Sequence, residues 1–358
     1  MARSAPPGDR NPGPLGLEVQ RLESRPQLVA LLLELGSSQR AGELRPRQVG
    51  VELRQRLAAL GLPGSVAAGT FHAAAWAQLR QWWSDQGVEA PSLLPSRTSF
   101  LRRVARAEGI RLGDAGIEIE WACARMIGPA GYGAEAARAG RRPVASPDQI
   151  AELYRSYEAA KRRKRVVDFD DILRMVVHTL ETQPERARVL RWRFRHFFVD
   201  EFQDVNPLQF RLLEAWLGDR DDLCVVGDPH QAIYRWNGAD AGFLNDFEAV
   251  FPGSTTVSLD RNYRSSAGVL AVARAVLPAP VAPEVRAAPR PLPAVWQFAT
   301  STDEAEAIAA HLRAERQAGI AWGRHGVLVR THGQAAVIGE ALAAADIPYR
   351  FRGTTGST

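Results

Sequence analysis

Two short apolar runs constrain the fold of this chain more than any other feature of its sequence. The first is His196-Phe-Phe-Val-Asp200 and the second is Asp222-Leu-Cys-Val-Val-Gly227. Unbroken apolar runs of this length are typical of strands that are buried on both faces, as in parallel sheets. Between them, Pro207–Leu217 is predicted to be a helix with proline at its start. Because strands that alternate with helices form a parallel sheet covered by helices, the chain is predicted to be an α/β protein.

The alternation continues towards the C-terminus. Further strands are predicted at Thr255–Leu259, Val295–Ala299 and Gly326–Arg330, with helices near Ala267–Val276 and Thr302–Arg316. The second of these helices opens with the capping box Ser301-x-x-Glu304. Residues 278–293 contain six prolines and are predicted to be a linker or an irregular excursion.

The chain before Val166 is predicted to be mostly helical, from Gln48 to about Arg165. Helices are predicted at Val51–Leu60, at Thr70–Trp83 and after Ser146-Pro147, with a Pro/Gly-rich break at residues 127–147. Residues 1–46 are rich in proline, glycine and arginine, and only Leu28–Leu35 is clearly apolar. This segment is predicted to be a poorly ordered arm with at most one helix.

Composition excludes several classes of protein. With 358 residues, 46% hydrophobic and 24% charged, the chain has the composition of two or three globular domains. It contains no apolar run of the roughly 18 residues that a membrane span needs, and its N-terminus lacks the apolar centre of a secretory signal. Two distant cysteines, Cys123 and Cys224, fit neither a disulfide framework nor a metal site, which favours the cytoplasm. The net charge of +5 is compatible with a polyanionic partner but does not demonstrate one.

The first apolar run ends in two carboxylates, Asp200 and Glu201. A parallel strand delivers such residues to its carboxyl edge, where open α/β sheets bind ligands. In nucleotide hydrolases one carboxylate at this position holds Mg²⁺, and a neighbour orients or deprotonates the attacking water. The alternative is a strand that ends in solvated acids capping the next helix, and for an isolated Asp-Glu pair this is the more common case.

Three sequence blocks carry a resemblance to a known family. They are Phe197-Phe-Val-Asp-Glu-Phe-Gln-Asp204, Val226-Gly-Asp-Pro-His-Gln-Ala-Ile-Tyr-Arg-Trp-Asn-Gly-Ala239 and Leu259-Asp-Arg-Asn-Tyr-Arg-Ser265. In this order and at these spacings they resemble the Walker B, glutamine-containing and Asn-Tyr-Arg motifs of the UvrD/PcrA/Rep family of superfamily 1 DNA helicases. Gly69-Thr-Phe-His72 is similar to the family's early DNA-contact motif, and the stretches around Phe71–Trp83 and Glu118–Tyr132 resemble the second UvrD-type helicases of actinobacteria.

The resemblance covers about residues 48–352 and implies a fold and an activity. The fold would consist of RecA-like parallel sheet layers of the P-loop NTPase helicase type. Residues 47–84 and 166–265 would form the first RecA-like domain, 85–165 a helical insertion, and 266–358 a truncated second RecA-like domain, after an arm at 1–46. The activity would be ATP-dependent, with Mg²⁺, and would drive 3′–5′ unwinding or translocation on single-stranded DNA in DNA repair. A protein partner stays unknown, and no membrane is implied.

The resemblance also assigns roles to residues of the ATP site. Asp200 would hold Mg²⁺ through water, Glu201 would be the general base, and Gln231 would sense the γ-phosphate and couple it to DNA. Tyr263 would stack on the adenine. Arg264 would contact the γ-phosphate, a task that suits a planar fork of donors.

Four residues would contact DNA by the same resemblance, namely Phe71, His72, Tyr234 and Trp236. Stacking of bases on Tyr234 and Trp236 is tolerant of sequence, as a motor requires. Without the resemblance, a Tyr and a Trp two residues apart would more often belong to a core. Asn237 stands where the family usually has arginine, so one coupling contact of the family is absent from the pattern.

Two charged segments have simpler interpretations. Asp168-Phe-Asp-Asp171 could be mistaken for a metal site, but N-capping of the next helix is the better prediction. Lys161-Arg-Arg-Lys-Arg165 is predicted to be a solvated helix end, with contact to a phosphate backbone as the alternative.

One expected motif is missing. A phosphate-binding loop needs GxxxxGK[ST], and the chain's only lysines, Lys161 and Lys164, follow no glycine loop. The family's adenine-reading glutamine and its late arginine have no match either. The chain is therefore expected to be ATPase-defective as it stands. The alternatives to an active helicase are an ATPase-dead protein that binds single-stranded DNA, or the product of a damaged reading frame with no function of its own.

Overall fold

The computed structural model describes residues 29–31, 67–104, 110–277, 284–285 and 292–351. The chain divides into two compact units, Met1–Thr255 and Thr256–Thr358. The helix predicted at Val51–Leu60 lies outside the described residues, as does the predicted arm except for three residues. Within the described ranges, no helix combines the length and the apolar character needed to cross a membrane.

The first unit contains a small parallel sheet surrounded by helices. Its helices and strands are, in chain order, β1 (Val29–Leu31), α1 (Phe71–Asp85), β2 (Ser92–Leu93), α2 (Arg97–Val104), α3 (Leu112–Ala124), α4 (Tyr132–Arg138), α5 (Pro147–Lys164), β3 (Val166–Val167), α6 (Phe169–Thr182), α7 (Pro184–Arg193), β4 (Phe197–Val199), α8 (Pro207–Leu217), β5 (Leu223–Val225), α9 (Gly242–Asn245) and α10 (Phe247–Val250).

The main sheet is parallel and has the strand order β1-β4-β5. Strand β1 pairs with β4 in the register Val29 to Phe197, so the prediction of an arm with at most a helix is wrong at these residues. An apolar run of this length fits a helix or a strand equally well, and the open edge of β4 decides between them. Strand β4 is buried at Phe197 and Val199, but Cys224 in β5 is exposed. The prediction of burial on both faces therefore fails for β5, because β5 is an edge strand of the described sheet.

Helix boundaries follow capping chemistry. Ser146 caps α5 and Asn206 caps α8, each in a complete capping box with proline in the first turn, and both helices were predicted. Thr70 caps α1 through its hydroxyl, which accepts from the amide of Ala73 at 3.2 Å. The predicted break at 127–147 is interrupted by α4, a short helix that buries Tyr132 and Ala136.

Two apolar cores organise this unit. The first lies among α1, α6, α7, β4 and α8, where the indole of Trp216 stacks between Phe71 and Phe197 at centroid distances of 5.6 and 6.0 Å. The second is entirely helical and lies among α2, α3, α4 and α5. Each core contains large, fully buried aromatic side chains, which contribute strongly to stability because of their area.

A buried cluster of charges joins the two cores. Asp168, at the start of α6, accepts hydrogen bonds from Tyr157 at 2.7 Å and from Lys161 at 3.0 Å, and Arg97 bonds Asp170 at 2.6 Å. Burial opposes the ionisation of Asp168, but the charges of Arg97 and Lys161 outweigh it and hold the pKa of this carboxyl well below its usual range. Asp168 also caps α6 in a capping box with Asp171, so the prediction of N-capping is confirmed.

The basic run at the end of α5 is only partly solvated. Lys161 is 2% exposed and its ammonium group lies within 3.0 Å of carboxylate oxygens of Glu158, Asp168 and Asp171. The four residues that follow it, Arg162–Arg165, are exposed. The prediction of a solvated helix end is therefore wrong for Lys161, because the carboxylates at the start of α6 compensate its charge in the interior.

The described part of the second unit contains three helices and little sheet. It contains β6 (Arg261–Asn262), α11 (Ala267–Val276), β7 (Glu284–Val285), α12 (Ser301–Gln317) and α13 (His332–Ala344). Helices α12 and α13 pack through Ala305, Ala309, Ile338 and Leu342. The capping residue of α12 is Thr300, which accepts from the amide of Asp303, so the predicted box at Ser301 is wrong by one residue.

The three strands predicted in this part of the chain do not form. Thr255–Leu259, Val295–Ala299 and Gly326–Arg330 are irregular. Leu259, Val295 and Leu328 are 85%, 92% and 99% exposed. A strand requires a neighbour that accepts and donates its backbone hydrogen bonds, and these segments pair with no described residue.

The charged cluster generates a prediction about stability. Replacing Arg97 with methionine leaves Asp168 and Asp170 buried with less positive charge, so we expect Arg97→Met to lower the free energy of unfolding by about 3–5 kcal/mol. Urea denaturation measures this loss. Arg102→Met, on the exposed part of α2, is the matched control and should change stability by about 0.5 kcal/mol or less. Equal midpoints for the two variants would show that the cluster does not hold the cores together.

Candidate active site

The two carboxylates that follow β4 lie at the carboxyl edge of the sheet. The backbone at Glu201 is left-handed, with φ 52° and ψ 41°, a conformation that is strained for a residue other than glycine. Two contacts fix it: the amide of Glu201 donates to Asp200 Oδ1 at 2.9 Å, and the amide of Phe202 donates to the carbonyl of Val226 at 2.9 Å. The strained turn separates the directions of two adjacent carboxylates, which suits two different chemical roles.

A chain of hydrogen bonds connects Glu201 to Gln231. The amide group of Gln203 donates to Glu201 Oε2 at 2.7 Å and accepts from the backbone amide of Asp228 at 3.0 Å. The carboxylate of Asp228 then accepts from the side chain of Gln231 at 2.9 Å. Gln203 is 1% exposed. The structure therefore brings Asp200, Glu201 and Gln231 together, and it does so through two residues that sequence reasoning missed, Gln203 and Asp228.

The approach of Gln203 requires glycine at position 227. A Cβ atom built on Gly227 would lie 2.6 Å from Gln203 Oε1 and 2.8 Å from Leu244 Cδ2. No side chain fits there without displacing the amide that holds Glu201. Gly227 and Asp228 lie just after the end of β5. The hydrogen bonds from Glu201 to Gln231 therefore link the ends of the neighbouring strands β4 and β5.

Asp204 is a third acid of this edge and is almost fully buried. It is 6% exposed, and its Oδ1 atom has no hydrogen-bond partner among the described residues. Burial, and then the charge of Glu201, raise the pKa of Asp204 to about 6. The edge therefore holds a carboxyl group that exchanges its proton close to neutral pH.

Of the two early residues predicted to contact DNA, one is buried. Phe71 is fully buried against Trp216, so the structure places it in the core, where its ring offers no surface to a base. His72 lies edge-on to Phe169, and its Nε2 atom is buried without a partner in the described part of the chain. Burial lowers the pKa of His72, although the charges of Asp170 and Asp168 oppose this effect.

The segment Tyr234–Trp236 is partly exposed and is held by the helical core. Trp236 is 47% exposed. Its carbonyl accepts from Arg141 at 3.2 Å, and Arg141 in turn pairs with Glu118 of α3 at 2.7 Å. Beyond the segment, Arg125 pairs with Asp240 at 3.3 Å. The helical core therefore fixes an aromatic surface at the end of the segment that begins with Gln231.

Tyr263 and Arg264 belong to the second unit and are described there by themselves. Tyr263 is 69% exposed, and Arg264 is also exposed. The side chain of Asn262 shapes this turn, because its Oδ1 accepts from the amides of Arg264 and Ser265 at 3.0 and 2.8 Å. The convergence of Tyr263 and Arg264 with Asp200 stays a prediction.

Comparison with known proteins gives this geometry a family. The sequence profile of the UvrD/REP helicase N-terminal domain matches residues 47–252, and that of the UvrD-like helicase C-terminal domain matches residues 257–356. The chain belongs to the UvrD/REP helicase family. Membership implies the RecA-like P-loop fold, and the described residues form a largely helical structure with small parallel sheets.

Two relatives show how much of a UvrD-family protein the chain represents. It is 38% identical over 336 residues to the ATP-dependent DNA helicase UvrD2 of Mycobacterium tuberculosis. This match covers 88% of the present chain and 47% of the relative. It is 30% identical over 216 residues to the ATP-dependent DNA helicase PcrA of Staphylococcus epidermidis, covering 57% of this chain and 29% of the relative. The chain therefore spans about half the length of the UvrD2 proteins it matches.

The residues present fit Mg²⁺ better than they fit the phosphates of ATP. Mg²⁺ is usually held by one or two carboxylates together with substrate phosphates, and Asp200 offers one carboxylate at the edge where open α/β sheets bind ligands. The described residues contain no group of three His, Cys, Asp or Glu that could hold a metal by itself. The sequence contains no GxxxxGK[ST] loop to bind the phosphates. We therefore derive no hydrolytic step from this chain.

The titration of Asp204 predicts a dependence of stability on pH. Since the pKa is raised from 3.8 to about 6 in the folded state, folding binds a proton, and the resulting stability is lost as pH rises from about 4 to about 6. Asp204→Asn removes this loss, so the variant should be more stable than the wild type by up to about 3 kcal/mol at pH 8. Thermal unfolding at about pH 4 and pH 8 measures the difference, which should vanish at the lower pH.

The control for this experiment is Asp221→Asn, at an exposed position before β5. This variant should follow the wild type at both pH values. If the melting temperatures of Asp204→Asn and the wild type differ by the same amount at both, Asp204 does not titrate as described.

Proposed function

We propose that this chain carries residues for ATP-dependent DNA unwinding or translocation of the UvrD type on single-stranded DNA. The observation that carries the proposal is the continuous hydrogen-bond chain from Glu201 through Gln203 and Asp228 to Gln231. It joins a carboxylate suited to activating water with the segment that ends in Tyr234 and Trp236. A motor needs such a connection, because the state of its nucleotide must reach its DNA-binding surface.

Each side chain has a specific task in this proposal. Glu201 orients and deprotonates a water molecule, and Gln203 fixes the direction of its carboxylate. Asp200 holds Mg²⁺, which would neutralise charge on the phosphates. Gln231, at the other end of this chain of hydrogen bonds, senses the γ-phosphate. In the second unit, Tyr263 stacks on adenine and Arg264 contacts phosphate, and the direction of movement on DNA is 3′ to 5′ by family resemblance.

The finer architecture belongs to the same proposal. Residues 47–84 and 166–265 make up a first RecA-like domain, 85–165 a helical insertion, and 266–358 part of a second RecA-like domain. Supporting this arrangement, α2–α5 form a core of their own between β2 and β3. The contacts of Arg141 and Arg125 give the insertion a task, since they support the segment proposed to contact DNA.

The chain by itself is proposed to lack ATP turnover at the rate of a motor. Phosphoryl transfer depends on positioning and on neutralising charge around the γ-phosphate. Loss of one preorganised contact of this kind costs about 10²–10³ in rate. The lysine and the amide cradle of the phosphate loop are both missing from the sequence. Asp200 and Glu201 cannot replace them, because carboxylates repel phosphate.

Phosphate release tests this part of the proposal. Purified protein with single-stranded DNA, ATP and Mg²⁺ should release phosphate at the background rate, and Glu201→Gln should give the same value. A turnover of about 1 s⁻¹ or more that disappears in Glu201→Gln would contradict the prediction. It would also reveal a phosphate cradle that the sequence pattern does not show.

Binding of single-stranded DNA without turnover is the second candidate function, and the exposure of Trp236 favours it. Stacking of a base on an aromatic ring contributes about 1–3 kcal/mol, so Trp236→Ala should weaken binding of an oligodeoxythymidine about tenfold or more. Fluorescence anisotropy measures the affinity. Trp236→Phe should keep most of it, and Ile233→Ala, which truncates a 70% exposed neighbour without a ring, should change it little. Equal losses in Trp236→Ala and Ile233→Ala would argue against stacking.

A further inference from the structure

A second cleft lies at the opposite end of the central strands from the carboxylates. It has a volume of about 780 Å³ and is formed by the end of α6, by α7 and by the segments that lead into β4 and β5. His196 and Asp222 lie directly before these two strands, whereas Asp200 and Gly227 follow them. A strand of three residues spans roughly 10 Å, so this cleft, which we call the amino-edge pocket, is separate from the site described above.

Guanidinium groups dominate the charge of the amino-edge pocket. It is lined by Arg188, Arg191, Arg195 and Arg220 and by the carboxylates of Glu181, Asp219 and Asp222. Glu181 lies 2.5 Å from Arg211, outside the pocket, and Arg188 pairs with Glu185 at 2.7 Å. Asp222 lies 3.9 Å from Arg220, and Asp219 is exposed to solvent. With four guanidinium groups against three carboxylates, the pocket holds a small excess of positive charge.

Two groups in the amino-edge pocket lack partners. The guanidinium of Arg195 is exposed and makes no hydrogen bond or ion pair with any described residue. His196 faces Asp222 through Nδ1, while its Nε2 atom is buried without a hydrogen-bond partner in the described part of the chain. Such a buried polar atom is unsatisfied, but it is closed to solvent, so Arg195 is the group of this pair that is accessible to a ligand.

The remaining arginines are rigidly placed. Arg191 donates to the carbonyl of Ala215 at 2.9 Å and fills the space beside Gly218, where a Cβ atom would lie 2.6 Å from the guanidinium carbon. Arg220 donates to the carbonyls of Phe194 and Arg195 at 3.0 and 2.9 Å. Burial lowers the pKa of Arg220, and the nearby charges of Arg191 and Arg195 lower it further, although Asp222 opposes them. Arg191, Arg195 and Arg220 thus lie close enough for their charges to act on one another, with Asp222 3.9 Å from Arg220.

An exposed indole lies beside these charges. Trp192 is 64% exposed and lines the pocket next to Arg191 and Arg195. The segment Pro184–His196 contains five arginines, one tryptophan and one phenylalanine. Leu180, Ala187 and Leu217 give the pocket an apolar floor. Positive groups for a phosphate, next to a ring on which a base can stack, are the combination that proteins use to bind single-stranded nucleic acid.

We propose that the amino-edge pocket binds a nucleoside phosphate unit of a single-stranded nucleic acid, with the phosphate at Arg195 and the base on Trp192. The volume suits such a unit, since ligand pockets typically measure about 300–1,000 Å³. An acidic peptide would use the arginines but would leave the indole without a ring to stack on. This contact lies away from Tyr234–Trp236 and goes beyond the proposed function, because it gives the chain a second point of attachment to a strand.

The experiment measures the affinity of a fluorescently labelled oligodeoxythymidine of about 20 nucleotides at about 50 and 200 mM salt. Arg195→Ala should weaken binding about three- to tenfold and reduce the slope of log Kd against log salt by about 0.7, the value for one lost phosphate contact on a single strand. Trp192→Ala should weaken binding about tenfold, and Trp192→Phe should restore most of it. The matched control is Arg193→Ala, which removes the same charge from an exposed position of α7 outside the pocket.

Equal affinities and equal salt slopes for Arg195→Ala and Arg193→Ala would overturn the proposal. A second result would also overturn it. In that result, Arg195→Ala weakens the binding of oligoglutamate or of free thymidine monophosphate but leaves the binding of the oligonucleotide unchanged. The effect of Arg195→Ala should persist in a Trp236→Ala background. If Arg195→Ala weakens binding and Trp236→Ala does not, the proposed DNA contact at Trp236 is rejected and the amino-edge pocket is kept. If Trp236→Ala weakens binding and Arg195→Ala does not, the amino-edge pocket is rejected and the contact at Trp236 is kept.

Discussion

The compensation of charge around Asp168 determines how the first unit is put together. Its carboxylate caps α6, which belongs to the first core, here called the core beneath the sheet, among α1, α6, α7, β4 and α8. The same carboxylate accepts hydrogen bonds from Tyr157 and Lys161 of α5, which belongs to the helical core. Neither a capped helix nor a buried lysine would by itself connect two cores. Because Arg97 and Lys161 are almost fully buried, separating the cores would expose opposite charges that have no other partners of this quality, and the cores are held in one geometry.

One part of the candidate active site, the segment Tyr234–Trp236, depends on how the two cores are joined around Asp168. Tyr234–Trp236 is supported by Arg141 and Arg125 from the helical core, whereas Glu201 is supported by Gln203 from the core beneath the sheet. Gln231 lies between them, bonded through Asp228. A change in the orientation of the two cores would therefore act on the aromatic segment and the carboxylates differently. Coupling between two sites needs an element that both can bias, and in the proposed function the short segment from Asp228 to Trp236 would be that element.

Sequence reasoning named three residues that the structure brings together, but not the residues that support them. Asp200, Glu201 and Gln231 could be predicted because each follows an apolar run in a family motif. Gln203 and Asp228 lie inside the same motifs, yet nothing in a pattern shows that their side chains meet, since this depends on the ends of β4 and β5 being neighbours. Phe71 was predicted to contact DNA from its place in a motif, but its neighbours in space, above all Trp216, place it in the core. The strands predicted in the second unit fail for a related reason, because an apolar run becomes a strand only where a partner strand is present.

Charged residues lie at both ends of β4, and their charges differ in sign between the two ends. At the carboxyl end, acids are brought together, and burial, followed by the charge of Glu201, raises the pKa of Asp204. At the amino end, arginines are brought together and the balance favours an anion. The strand itself is short and apolar, and it separates the two charge distributions by little more than its own length. One short strand can therefore separate two different sets of charged groups, acids after its end and arginines before its start.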